Sequence, residues 1–266
     1  MNNKIGICGI GVVGSAMVNC FEKKKIIVNQ YDKYKNGGIG CIDDLLKTSI
    51  IFLCLPTIYS EEKKEYDKKS IFDICNYLSE NKYNGCVVVK STVEPGTCRY
   101  LKNTYNLNIL YNPEFLTART AEEDFENQHH IVIGGSTIDN TYIDDLKKFY
   151  IKYWNSAVIS ISTYEESEIM KIGVNCFYAV KIQFFNEIYA LVNTYENSDY
   201  KNVVDMMLKN KWISPNHVDV PGIDGKLSYG GMCFPKDTNA LYQHMIKKGT
   251  PCEVLKGTIT ERNNMR

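Results

Sequence analysis

The segment Lys4-Ile-Gly-Ile-Cys-Gly-Ile-Gly-Val-Val-Gly-Ser15 places Gly9, Gly11 and Gly14 in G-x-G-x-x-G spacing, behind an apolar strand-like run and ahead of a helix-forming one. Each glycine has a separate task in that context. The first permits a tight turn, the second lets backbone approach a pyrophosphate, and the third lets helix and strand pack closely. The helix start supplies amide donors and a partial positive charge. Ile10, Val12 and Val13 fill the loop between the glycines and are expected to lie against a bound dinucleotide. The next apolar run ends in Asp32, 18 positions after Gly14. A carboxylate there accepts hydrogen bonds from the adenosine ribose hydroxyls and repels a 2′-phosphate, so NAD is expected over NADP.

The rest of the first half repeats that alternation. Strand-like runs fall at Lys4–Cys8, Ile26–Tyr31, Ile50–Leu55, Cys86–Lys90, Leu107–Tyr111 and Ile131–Ile133. Helix-like stretches separate them at Ser15–Lys24, Ser70–Glu80 and Gly96–Thr104. Asp139–Lys152 reads as a helix and Ser156–Ile161 as a further strand. Apolar runs buried on both faces with helices between them predict an α/β fold, a doubly wound, mostly parallel Rossmann sheet. After Tyr164 the pattern turns helical: Glu165–Glu196 has no Pro and a single Gly173, and helices are predicted at Tyr200–Asn210 and Thr238–Lys248. The expected organisation is a dinucleotide-binding domain over 1–163, followed by a helical domain over 164–266.

Composition removes several function classes. Lys and Arg total 31 and Asp and Glu total 31, so the basic excess of a nucleic-acid binder is missing. No apolar run is long enough to cross a bilayer, and the opening MNNKIGICG lacks signal-peptide character. The 10 cysteines show no paired short spacing, which argues against a structural metal site and a disulfide framework. The expectation is a cytoplasmic protein with reduced thiols and no metal.

Two patterns in the second half carry chemistry. Lys171 and Asn175, four apart on a predicted helix, project from one face and could stabilise negative charge on a substrate oxygen. By themselves they also fit a solvated helix face. Cys233 follows Gly230-Gly-Met and precedes Phe234-Pro-Lys-Asp237, so its sulfur sits uncrowded in a glycine loop where a cation would favour the nucleophilic thiolate. By itself a free cysteine also fits a small buried hydrophobe.

Taken in order, Lys90-Ser-Thr-Val-Glu-Pro-Gly-Thr97, Asn112-Pro-Glu-Phe-Leu116, the Lys171/Asn175 helix with its further Asn186, and Gly230-Gly-Met-Cys-Phe-Pro-Lys-Asp237 resemble the motifs of the UDP-glucose/GDP-mannose dehydrogenase family. That family oxidises a nucleotide-sugar alcohol to a uronic acid with two NAD. The resemblance implies Cys233 as the nucleophile that holds the aldehyde as a thiohemiacetal and then a thioester. It implies Lys171 and Asn175 as stabilisers of the oxyanion and Asp237 as the group positioning water and lysine. Glu114 becomes the acid/base of thioester hydrolysis and Thr92 the hydroxyl ordering the water. Pro56, Thr57, Thr92 and Lys236 would lie at the cofactor. Glu114, Phe115, Leu116, Lys171, Asn175, Asn186, Tyr229, Gly230 and Gly231 would lie at the substrate, UDP-glucose above others. A homodimer through the long helix is implied as well.

Departures from the family pattern are Ala118, where many members carry a second Glu, and Met232, where a small polar residue is usual. The sequence ends at Thr260–Arg266, where the family continues into a second Rossmann-like domain, so a short form without that UDP-binding domain is expected. Two other readings compete. A β-hydroxyacid dehydrogenase would need one hydride and no cysteine, and a non-catalytic binding protein would hold NAD or a nucleotide sugar without turnover.

Overall fold

A computed structural model of the chain describes residues 4–136 and 140–266. Asp139, the expected first residue of a helix, lies outside the described residues. The elements run β1 (Ile5–Cys8), α1 (Val12–Lys23), β2 (Val28–Tyr31), β3 (Ile50–Leu53), β4 (Tyr59–Ser60), β5 (Glu65–Tyr66), α2 (Lys69–Glu80), β6 (Cys86–Val89), α3 (Thr97–Tyr105) and β7 (Asn108–Tyr111). They continue through α4 (Ala121–Glu126), β8 (His130–Gly134), α5 (Asn140–Tyr153), β9 (Val158–Ser162), α6 (Tyr164–Val192), α7 (Tyr200–Leu208), α8 (Phe234–Lys248) and α9 (Glu253–Met265). These elements fold into two units. The first holds the chain up to Ile58 and Tyr66–Lys171; the second holds Tyr59–Glu65 and Ile172–Arg266.

The first unit is built on a seven-stranded sheet in the order β2-β1-β3-β6-β7-β8-β9. All neighbours are parallel except β7 and β8. Strand side chains alternate between faces, and both faces are apolar here. Ile50 and Phe52 of β3 enter one core, with Val88, Leu110, Phe21, Phe125, Phe149 and Trp154. Ile51 and Leu53 enter the other, with Val87, Val89, Ile109, Leu78 and Leu101. Such burial stabilises by roughly 1.5–3 kcal/mol per large apolar side chain. The order reverses between β1 and β3, and that switch point, at the strands' C-terminal ends, is where a doubly wound sheet binds its ligand. The α/β class expected from the sequence is therefore the one observed.

Local differences have identifiable causes. The sequence pattern does not reveal β4, β5, α4 and α9, all short or weakly amphipathic. It also starts α8 at Thr238, whereas the helix begins at Phe234 with Cys233 as its N-cap. Proline breaks a helix interior, but in the first turn the missing N–H of Pro235 costs nothing and its fixed φ suits the helix.

Glu168 ties α6 to α3 within the first unit. Its carboxylate is buried and accepts hydrogen bonds from the Gly96 and Cys98 amides at 2.6 and 2.8 Å. Burial pushes Glu168 up to about 7 and outweighs those two donors. A carboxyl raised in the fold holds its proton where the unfolded chain has lost it. Its stabilisation is therefore complete at low pH and lost as pH rises through about 7. At about 1.4 kcal/mol per pH unit, wild type should lose about 3 kcal/mol of stability relative to Glu168→Gln from about pH 4 to about pH 8. Urea unfolding across that range measures it, and a pH-independent difference would refute the assignment.

The second unit is helical. Phe185 of α6, Val204 of α7 and Val218 form its apolar centre. Asp199 caps α7 by accepting from the Asn202 amide, and Lys181 donates to the Ser214 and Asn216 carbonyls at 2.5 and 2.6 Å. Among the described residues, no helix is long and apolar enough to cross a membrane.

Candidate active site

In the first unit the glycine loop leaves β1 at the switch point. Gly9 has φ +91°, and a Cβ there would lie 2.5 Å from the Cys54 carbonyl oxygen. A Cβ on Gly14 would run into the Gly9 carbonyl. At Gly11 nothing of the chain lies within 4 Å of where a Cβ would be, and as the N-cap of α1 it brings no side chain to the free amides. The loop therefore presents bare backbone donors at the start of a helix, the geometry that suits a pyrophosphate. Ile10 is buried and Val13 partly so, while Val12 is exposed. Asp32 accepts from the Ile10 amide at 2.8 Å through Oδ2, and from the Tyr34 and Lys35 amides at 2.9 Å through Oδ1. Its partial burial works against ionisation, but the amide donors of Lys35, Ile10 and Tyr34 hold the carboxyl below its ordinary value. An ionised carboxylate retains lone pairs for ribose hydroxyls.

Sequence reasoning missed Lys35, whose ammonium donates to the Ile10 carbonyl at 2.6 Å and to Ser15 Oγ at 2.9 Å. The signal that could have found it is its place three residues beyond Asp32.

Across the switch point, Pro56 is exposed and Thr57 is buried, its hydroxyl donating to the Thr92 carbonyl at 2.8 Å. Ser91 Oγ accepts from the Leu55 amide at 2.9 Å and donates to the Leu55 carbonyl at 2.6 Å. The Lys90–Thr97 segment thus fixes the cofactor-side loop after β3, and Glu94 anchors it through the Tyr66 amide and Lys68 at 2.6 and 2.8 Å.

Beyond β7, Glu114 Oε1 lies 3.5 Å from Lys171 Nζ, and Glu114 Oε2 accepts from the Leu116 amide at 2.6 Å. Lys171 is buried and stands 5.0 Å over the Phe115 ring, which is itself stacked on His130. Glu114 and Lys171, 57 positions apart in the chain, are thereby brought together.

In the second unit, Asp237 is buried and accepts from Asn175 Nδ2 at 2.6 Å and from Lys236 Nζ at 2.5 Å. Cys233 is exposed at the N-cap one turn before it. Of the 10 cysteines, only Cys41 shares that class; six are buried, and Cys54 and Cys252 lie between. Gly231 has φ +74° and open space around its missing Cβ, so the backbone beside Cys233 is accessible. Tyr229 is buried, its carbonyl accepting from Arg262 at 3.1 Å, and a Cβ on Gly230 would meet the Arg266 guanidinium. Asn186 is also buried: its Oδ1 accepts from the Ser228 amide at 2.8 Å and its Nδ2 donates to the Ile182 carbonyl at 2.8 Å. Gln183, missed in the sequence, accepts from Ser228 Oγ at 2.5 Å.

Comparison with known proteins decides the family. Residues 41–154 match the NAD binding domain of the UDP-glucose/GDP-mannose dehydrogenase family, and residues 165–264 match its central domain. The chain belongs to the UDP-glucose/GDP-mannose dehydrogenase family. NAD is accordingly its cofactor, in keeping with the glycine loop and Asp32. A UDP-glucose 6-dehydrogenase of Rickettsia felis is 31% identical over 225 residues, covering 82% of this chain and 48% of that protein. One from Campylobacter jejuni is 26% identical over 295 residues, covering 99% of this chain and 72% of that protein. Among solved structures, a UDP-glucose dehydrogenase from the archaeon Pyrobaculum islandicum shares the fold, with a TM-score of 0.82 at 23% identity over 97% of this chain and 67% of that one. The chain spans about half the length of the Rickettsia relative.

Proposed function

We propose that the chain carries out the NAD-dependent four-electron oxidation of a nucleotide sugar, UDP-glucose to UDP-glucuronate, through a thioester on Cys233. The observation that carries this reading is an exposed cysteine beside an open glycine backbone, one helical turn ahead of a buried carboxylate that holds Asn175. A single-hydride dehydrogenase has no use for that arrangement. NAD, when bound at Gly9–Gly14, Asp32 and Thr57, supplies the hydride acceptor for both oxidations. Cys233 Sγ adds to the aldehyde carbon, so the carbon stays held between the two oxidations, and water then cleaves the resulting C–S bond to give the acid and restore the thiol. Lys171, with Asn175, stabilises charge on the sugar oxygen, and Glu114 moves the proton of the attacking water, which Thr92 helps to place. Asp237 orients Asn175 and Lys236. Residues 1–163 would then form the NAD-binding part, and 164–266 the helical part bearing the nucleophile.

Three further properties belong to the same reading. Tyr229–Gly231 would face the sugar diphosphate, with Asn186 and Gln183 holding that loop from behind through Ser228. Phe177, Phe184 and Leu191 are exposed at seven-residue spacing on α6, an apolar stripe that suits a second copy of the chain. A thiol nucleophile fits a reducing compartment, hence the cytoplasm.

The test is NADH formed per sugar consumed across a panel of UDP-sugars. The expected result is two per UDP-glucose with a uronate product. One NADH with free aldehyde would point to a single-hydride enzyme, and NAD binding with no turnover to a binding protein.

A further inference from the structure

Lys90 opens the Lys-Ser-Thr-Val segment, yet the chemistry above gives it no task. It follows β6 with its side chain 1% exposed, in the core of the first unit. Its ammonium donates to Asn112 Oδ1 at 2.9 Å and stands 5.7 Å over the Phe125 ring. The same oxygen accepts from Tyr150 OH at 2.5 Å, and Asn112 Nδ2 donates to the Val132 carbonyl at 2.7 Å. Asn112 is thus pinned from the residue after β6, from α5 and from β8 at once. Two residues later comes Glu114, reached through Pro113, whose ring fixes φ. What holds Asn112 therefore holds the start of the turn that carries Glu114.

A hydrogen-bond donor alone could be supplied without charge, as Tyr150 supplies one. Burying an ammonium is costly unless it is paired and hydrogen-bonded. The charged and titratable groups facing Lys90 are Cys54 and Glu114, which favour its protonated form, and Lys171, which opposes it; Tyr150 shares its acceptor. Burial dominates and lowers Lys90 to about 8.

We infer that Lys90 is a positioning residue for Glu114, fixing the Asn112–Pro113–Glu114 turn through Asn112 and coupling its own charge to the Glu114–Lys171 ion pair. The inference rests on the proposed acid/base role of Glu114, but one arm of its test does not require turnover. In protein labelled with 13Cε-lysine and assigned through bonds, Lys90 should titrate near 8. In Glu114→Gln its midpoint should move to lower pH, because the carboxylate that favours the ammonium is gone. In Lys171→Met it should move to higher pH. A Lys90 midpoint that is the same in wild type and Glu114→Gln overturns the inference, and this comparison needs no variant at Lys90 to fold.

The kinetic arm uses Lys90→Met, which should lower kcat by about tenfold or more, leave NAD affinity within about twofold, and shift the pH profile of kcat. Tyr150→Phe removes the other donor to the same oxygen without removing charge, so its pH profile should stay in place. A Lys90→Met enzyme with wild-type kcat and profile also overturns the inference. If wild type itself turns over no sugar, the proposed function fails, and the titration still judges Lys90.

Discussion

Cys233→Ala should lower uronate formation by about a thousandfold or more while leaving NAD affinity and thermal stability close to wild type. Stability is expected to hold because Cys233, although the N-cap of α8, makes no side-chain capping hydrogen bond. The substitution shortens a side chain of the exposed class rather than one in the core. NAD affinity should hold because the glycine loop and Asp32 belong to the first unit. The first oxidation needs no covalent hold, so the variant should release aldehyde and at most one NADH per sugar. Product analysis by mass spectrometry alongside NADH absorbance separates the two steps. Uronate formed at the wild-type rate would end the thioester reading.

The legible parts of this fold are those where one residue's chemistry suffices. The glycine spacing locates β1, α1 and the loop between them, and Asp32 follows from its distance to Gly14. The strands of the parallel sheet are legible because both of their faces are apolar, as the split of β3 between two cores explains. Parts that depend on long-range pairing are not. Nothing in the helical pattern around Glu168 marks it as a buried carboxylate held by amides some 70 positions away. Nor does the sequence show that Asn186, expected at the substrate, also accepts from the Ser228 amide and donates to the Ile182 carbonyl, one bond at each end of its amide. The N-terminal start of α8 is misplaced in the sequence pattern because Pro235 breaks a helix interior but suits a helix start. That correction matters chemically, since it moves Cys233 from a free loop to the end of a 15-residue helix, where the backbone amides favour negative charge.

Gly14→Ala should reduce NAD affinity by about a hundredfold or more and destabilise the first unit by about 1–3 kcal/mol. Its new Cβ would run into the carbonyl oxygen of Gly9, and Gly9 cannot yield. The Gly9 amide donates to the Tyr31 carbonyl at 2.8 Å, and its Cα faces the Cys54 carbonyl too closely for any Cβ. The clash must instead lift α1, whose Met17 and Phe21 are fully buried in the core, so binding and stability should fall together. Gly11→Ala separates the two effects. Its Cβ would enter open space, so urea midpoints should match wild type, yet NAD affinity should drop by about tenfold or more because that space is where the pyrophosphate must come close. Titration calorimetry with NAD and urea unfolding of both variants measure the pair. Wild-type affinity in Gly11→Ala would mean that the open face of the loop does not receive the pyrophosphate, and the placement of the cofactor on these three glycines would fail with it.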